Sequence, residues 1–197
     1  LGATAGRTTI NGEGLQHQDG HSLIMSGLIP NCISYDPAFA YELAVIIQHG
    51  LDKMLVQEKD VFYYITLMNE NYVHPAMPKG CEEGIIKGLY LLKPGFVSKS
   101  ENPVAIKVQL LGSGAILNEH LAAQVLLEKD FGISADVWSV TSFTELRREG
   151  LEIERFNNLN VGLLNTRERQ SYVTECLSKT QGAMVSGTDY LKLYADQ

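Results

Sequence analysis

Nowhere in this chain do apolar residues run on for the ~20 positions a helix needs to cross a bilayer, and no basic-then-apolar leader opens it. Neither a membrane span nor a secretory signal is expected. Cysteine is scarce: Cys32, Cys81 and Cys176 are odd in number and far apart, which gives neither a disulfide framework nor a CxxC metal pair. A reducing, cytoplasmic setting is the default that follows. Positive charge is also short, with 16 Lys and Arg against 23 Asp and Glu and a formal net charge of -7. Phosphate backbones are bound by concentrated cations, so no nucleic-acid partner is expected. The nearest cationic run, "LRRE" at residues 146–149, is closed by an acid and reads as a solvated helix face. The chain has no P-loop, no HExxH and no nucleophile elbow. It also has no internal repeat, coiled-coil run or low-complexity tract.

What is present suits a globular α/β protein. Apolar types make up 45% and charged types 20% of 197 residues, enough to bury roughly 70% of the unfolded surface. "LIPNCISY" reads as a short buried strand ended by Asp36 and Pro37, which are expected to cap a helix over residues 37–57. Phe39, Leu43, Ile46, Ile47, Leu51 and Met54 recur there at helical spacing. "VFYYITLM" reads as a central strand covered on both faces. A helix over 81–92 follows, and "KPGFVSKSENP" at 93–103 is the best boundary candidate, dividing residues 1–100 from 101–197.

Beyond it, "VAIKVQLLGSG", a helix stopped by Gly132 and "ADVWSVTSF" form a strand–helix–strand unit, the signature of a parallel sheet flanked by helices. The polar stripe His120, Gln124 and Glu128 of that helix reads as solvated, while Trp138, Val140 and Phe143 read as core. "TELRREGLEIERFNNL" is expected to be helical with a break at Gly150, "ERQSYVTECLSK" helical and "GAMVSG" a strand, with no obvious element after it. The Gly112-Ser113-Gly114 turn sits where phosphate could be cradled. Leu117 and Asn118 stand where further glycine is wanted, so a simple tight turn is the plainer reading, and "GTDY" at 187–190 carries less signal still.

One stretch stands apart. "NGEGLQHQDGHS" packs Glu13, Asp19, His17, His21 and three glycines into residues 11–22. Glycines permit sharp turns that bring polar side chains to a ligand, and imidazole near neutrality donates and accepts protons. A plain structural loop with helix-capping side chains is the competing reading. Metal binding by His17 and His21 is not expected, since the glycines disfavour the helix that would align them and no third ligand is near in sequence.

"GRTTINGEGLQHQDGHS", "IPNCISYDPAFAYELAVI", "YYITLMNENYVHPAMPKG", "VQLLGSG", "SADVWSVTSFTELRREG", "ERFN" and "GTDYLKLYA" together resemble the homodimeric E1 family of bacterial pyruvate dehydrogenase complexes, over nearly the whole chain. The resemblance implies a transketolase-like α/β fold. Residues 1–100 would be the later part of the pyrimidine-binding domain and 101–197 the start of the C-terminal domain. It implies thiamine diphosphate and Mg2+ as cofactors, pyruvate as substrate, a homodimer, and the dihydrolipoyl acetyltransferase E2 as the partner whose lipoyl group is reductively acetylated.

On that resemblance, His17 is expected to reach the substrate channel, hydrogen-bond the pyruvate carboxylate or oxygen and assist proton transfer. Glu13 is expected to hold mobile loops beside the same channel, and His21 either to orient neighbours of His17 or to pack. The family's activating glutamate and its diphosphate-binding and metal-binding segment lie upstream of Leu1, so the chain looks like a fragment and is expected to lack turnover alone. One departure is visible: "NNLNVGLLNTRERQSY" replaces a proline-bearing stretch common in relatives, which puts the local loop shape in doubt. The alternatives are another transketolase-like thiamine diphosphate enzyme, which usually shows a "GEDGPTHQP" loop, and a non-catalytic dimerisation or E2-docking module.

Overall fold

The computed structural model describes residues 2, 4–9, 12–96, 106–161 and 168–196. The end of the predicted boundary segment (97–103) and residues 162–167 of the divergent stretch lie outside the described residues.

After a short helix α1 (Ser22–Gly27), strand β1 (Cys32–Tyr35) is buried along its whole length. It pairs in parallel with β2 (Phe62–Ile65) through helix α2 (Ala40–Leu51) and a π-helical turn (Asp52–Val56). The predicted cap does not form. Glu42 takes that role, its Oε2 accepting the N–H groups of Ala38 (2.6 Å) and Phe39 (3.0 Å), so the helix starts at Ala40. Asp36 is held elsewhere. The expectation of a doubly covered β2 is also corrected: in a sheet of two strands it is an edge, with Phe62 and Tyr64 exposed on alternate positions.

A second correction concerns residues 81–92, where helix α3 (Glu82–Lys87) gives way at once to strand β3 (Leu89–Lys93). Gly88 ends the helix at φ 104 in the left-handed region, and its N–H returns to Gly84 O. A side chain there would also stand 2.6 Å from Ser142 O. Strand β3 runs antiparallel along β5 (Ser134–Val140), which pairs in parallel with β4 (Lys107–Gly112), and β4 pairs in parallel with β6 (Ala183–Gly187). The order is β3-β5-β4-β6, a mostly parallel sheet with helices packed on it, as the α/β expectation required. Gly132, at φ 65, ends helix α4 (Ile116–Phe131) as predicted.

Period-two alternation divides the core. Tyr90, Leu92, Leu110, Ala135 and Val137 face a cluster shared with Ile33, Tyr35, Phe39 and Ile46 of the first sheet and its helix. Leu89, Leu111, Trp138 and Val140 face the opposite cluster with Phe143, Leu146, Leu177, Tyr190 and Tyr194. Trp138, Val140 and Phe143 are thus core as expected, with Phe143 supplied by helix α5 (Phe143–Leu159). Glu42 joins the two sheets: its Oε1 accepts from Tyr90 Oη and Ser139 Oγ, both at 2.6 Å. Burial pushes its carboxyl upward in pKa, against the pull of those four donors.

Three further expectations are corrected. Helix α5 runs through Gly150 without a break. "LRRE" is no solvated face, because Arg148 donates to the carbonyls of Cys32 (2.5 Å), Gly27 (3.2 Å) and Ile29 (2.7 Å) and to Glu145 (2.9 Å). The polar stripe of α4 faces inward: Gln124 is buried and donates to Ala135 O (2.7 Å), Glu128 accepts from Phe96 N–H (3.3 Å), and His120 is half-buried against Gly112 and Gly187. Helix α6 (Tyr172–Leu177) and β6 occur as expected, and a last short helix, α7 (Lys192–Ala195), follows where none was foreseen. Among the described residues no helix is long and apolar enough to cross a membrane.

Candidate active site

The carboxyl ends of β1, β2, β4 and β6 lead into Asp36, Thr66, Ser113 and Asp189 in turn. Ligands of open α/β sheets bind beyond these strand ends, because loops and free backbone groups converge there. In this chain Arg7 and Thr8, just ahead of the glycine-rich segment, reach the residues at these ends. Asp36, fully buried, accepts from Arg7 Nη1 and Nη2 (each 3.1 Å), Thr66 Oγ1 (2.5 Å) and Ser113 Oγ (3.0 Å). Arg7 also donates through Nε to Asp189 (3.1 Å) and, by a second bond from Nη2, to the same oxygen. Its guanidinium lies 4.1 Å above the centre of the Tyr190 ring. Burial works against the Arg7 charge, but Asp36, Tyr190 and Asp189 more than reverse it and hold the group protonated.

The loop itself is built on glycine. Gly14, at φ 80, opens a 3-10 turn (Leu15–His17) that sets Glu13 and His17 on one side, His17 Nδ1 lying 2.6 Å from Glu13 Oε2. The His17 side chain is 49% exposed and Glu13 27%. The contact is one of distance and charge, since Glu13 Oε2 has no hydrogen-bond partner among the described residues; it leaves Nε2, on the other side of the ring, as the nitrogen that can meet a ligand. The structure therefore brings together two of the three predicted residues. His21 is exposed at the start of α1, where its backbone N–H donates to Asp19 Oδ1 (3.1 Å). Among the described residues no hydrogen bond runs from its imidazole to the pair.

Asp19 instead does local work, accepting from the Ser22 hydroxyl, from Ser22 N–H (2.9 Å), from His21 N–H and from Tyr190 Oη (3.3 Å). Burial raises its pKa, but these donors prevail and hold it below the ordinary 3.8. A cleft of about 420 Å3 opens beside the strand ends, with Phe39, Met68, Tyr72 and His74 in its wall. Asn69 N–H on the following segment donates to Thr9 Oγ1 of the loop (3.2 Å). A larger cleft, about 660 Å3, lies among α3, α5 and α6 and holds none of the predicted site residues.

The network around Arg7 escaped the sequence reading. "GTDY" was given little weight, yet Asp189 accepts from Thr8 N–H (3.3 Å) and Oγ1 (2.8 Å) as well as from Arg7. Partners so far apart in the chain leave no periodicity or spacing to find. The tight-turn reading of Gly112-Ser113-Gly114 holds, with Ser113 and Gly114 packed on Asp36.

Known proteins place this geometry. Residues 1–75 match the family model of the pyruvate dehydrogenase E1 component middle domain, and residues 88–197 match that of the transketolase-like TK C-terminal domain. The chain is 59% identical over 197 residues to the pyruvate dehydrogenase E1 component of Pseudomonas aeruginosa and 53% identical over 198 residues to that of Escherichia coli K12. Both likenesses cover 100% of this chain and 21% of the relative, so the chain spans about a fifth of the length of these curated relatives. Transketolase variants from Pichia stipitis share the fold at 19% identity, one of them in complex with fructose 6-phosphate at TM-score 0.55, covering 94% of this chain and 25% of that one. Over residues 88–197, more than half of its length, the chain belongs to the transketolase-like C-terminal domain family, and over its whole length it is similar to pyruvate dehydrogenase E1 components.

Proposed function

We propose that this chain is part of a pyruvate dehydrogenase E1 enzyme of the cytoplasm, a homodimer that decarboxylates pyruvate with thiamine diphosphate and Mg2+ and reductively acetylates the lipoyl group of E2. Residues 1–100 would be the later part of the pyrimidine-binding domain and 101–197 the start of the C-terminal domain, with β3, ahead of that boundary, pairing only in the second sheet. The observation that carries the reading is the half-exposed Glu13–His17 pair, on a loop tied through Gly6 and Arg7 to the acids that follow β1 and β6.

The residues present do not fit the holder of the metal and diphosphate. Among the described residues no three ligating side chains gather, and Asp36 and Asp189 are already engaged by Arg7 and neighbouring hydroxyls. In the full enzyme the cofactor, held by residues outside this set, would supply the electron sink for loss of carbon dioxide. What this chain supplies is positioning. His17 Nε2 can hydrogen-bond a substrate carboxylate or oxygen and carry a proton, while Glu13 keeps the ring turned and balances the imidazolium when it forms. Of the third predicted residue, His21, the proposal retains an orienting or a packing role beside the same loop.

The full-length protein, supplied with thiamine diphosphate and Mg2+, should decarboxylate pyruvate in the presence of an artificial electron acceptor and acetylate a lipoyl domain. Failure with pyruvate, alongside turnover of a sugar phosphate, would point to a different enzyme of the same fold.

A further inference from the structure

The loop bearing His17 is fixed from an unexpected side. Gly6 N–H donates to the carbonyl of His17 itself, and Asp19 N–H returns to Gly6 O at 2.9 Å, so the residue next to Arg7 brackets Gln18, directly after His17, in a short parallel bridge. Gly6 is buried, and a Cβ there would come within 3.2 Å of His17 O, so the two segments touch at backbone level. Arg7 then reaches down into two acids on different sheets. Asp36 follows β1 and takes both Nη groups as a fork, while Asp189 follows β6 and takes Nε and Nη2. Arg7 and Asp189 side chains are each 10% exposed and Asp36 0%, so the contacts are largely shielded from solvent. The residues after Asp189 continue the cradle: the Tyr190 ring lies under Arg7 while its hydroxyl meets Asp19 and Ser22 (each 3.3 Å), and Leu191 N–H donates to Gly20 O (2.9 Å).

We infer that Asp189 and Tyr190, in the C-terminal domain, are positioning residues for His17: through Arg7 and Asp19 they set where the imidazole stands relative to the strand ends. The inference rests on the functional reading above and deepens it, because it assigns to the segment after β6 control over a group on the opposite side of the domain junction. Neither residue touches the reacting atoms. Each acts through the backbone that follows His17, Asp189 by way of Arg7 and Gly6 and Tyr190 by way of Asp19, where a shift of about 1 Å is enough to lower turnover by one to two orders of magnitude.

The test uses the full-length enzyme. Asp189→Asn keeps the shape of the side chain and removes the charge that Arg7 meets; Tyr190→Phe keeps the ring under Arg7 and removes the hydroxyl on Asp19. Asp189→Asn should lower kcat for pyruvate on the order of tenfold and Tyr190→Phe a few-fold. The thiamine diphosphate concentration for half-activation should be unchanged in both, a split that general loss of structure does not give. Glu83→Gln, which removes only the exposed pair with Lys87, should leave both quantities as in the wild type. Wild-type kcat and KM in a folded Asp189→Asn enzyme, or a fall in kcat matched by an equal loss of cofactor affinity, overturns the inference. If Asp189→Asn does not accumulate as folded protein, Tyr190→Phe decides by the same criteria. If the wild-type enzyme itself does not turn over pyruvate, it is the functional reading that fails. The clamp is then judged by limited proteolysis: faster cleavage within residues 12–18 of the variants than of the wild type supports it, and equal cleavage refutes it.

Discussion

Asp36 shows how much one side chain can be made to hold. Its carboxylate is wholly buried and takes four hydrogen bonds, two of them from a guanidinium, so removing it leaves Arg7 with Asp189 alone and takes one partner each from the hydroxyls of Thr66 and Ser113. Hydrogen bonds to a charged group are worth about 1.5–3 kcal/mol, and Asp36→Ala should lose at least that much in denaturant titration; a loss under ~1 kcal/mol would contradict the buried pair. Gly114 is constrained by the same group. It sits at φ 49, and a Cβ would stand 2.6 Å from an Asp36 oxygen. Gly114→Ala should therefore cost more than the ~1 kcal/mol of an ordinary strained residue, measured the same way.

His120 adds a pH dependence at the same scale. Burial lowers its pKa below the ordinary 6.5, and its Nδ1 is enclosed without a hydrogen-bond partner. A histidine with a depressed folded pKa contributes stability that is present above 6.5 and lost as pH falls through its folded value. Between about pH 7.5 and pH 5.5 the wild type should lose more unfolding free energy than His120→Gln. Equal losses would show that this imidazole is not the titrating group.

At the scale of elements, the strand–helix–strand unit around α4 was readable because its signals are local: a β-branched run, an amphipathic helix and a stopping glycine. Elements decided by tertiary partners were not readable in the same way. Leu89 and Leu92 keep helical spacing with Ile85, yet Gly88 turns the chain and β5 captures it as a strand, a tertiary choice with no local mark. The inward polar face of α4 reversed an ordinary amphipathic reading because Gln124 has a strand carbonyl to bond, while Val125, Leu126 and Phe131 are left exposed. In the candidate site, Glu13 and His17 were legible from composition and likeness; the acids and arginine that hold their loop were not, being joined only by the fold.

Helix α5 offers the element-level test. Arg148 satisfies three carbonyls at the α1–β1 turn, and hydrogen bonds from a charged group are worth about 1.5–3 kcal/mol. Arg148→Met keeps the aliphatic stem and should cost about that range, with the loss confined to faster amide exchange in residues 27–32. Uniform exchange across the chain would assign the effect elsewhere.

On the scale of the whole molecule, two sheets share a common core, and the loop that carries Glu13 and His17 is tied through Gly6 and Arg7 to acids that follow a strand of each. In the proposed function the labour divides: the acids after β1 and β6 place the loop through Arg7, and the imidazole of His17 would supply the proton and the hydrogen bond.

The most direct measurement is the turnover of the full-length enzyme carrying His17→Ala, with thiamine diphosphate titrated alongside. Loss of a positioned acid–base group lowers a rate by about 10²–10⁴-fold, so kcat for pyruvate should fall into that range while cofactor half-activation stays as in the wild type. An unchanged kcat would contradict the role given to the Glu13–His17 pair.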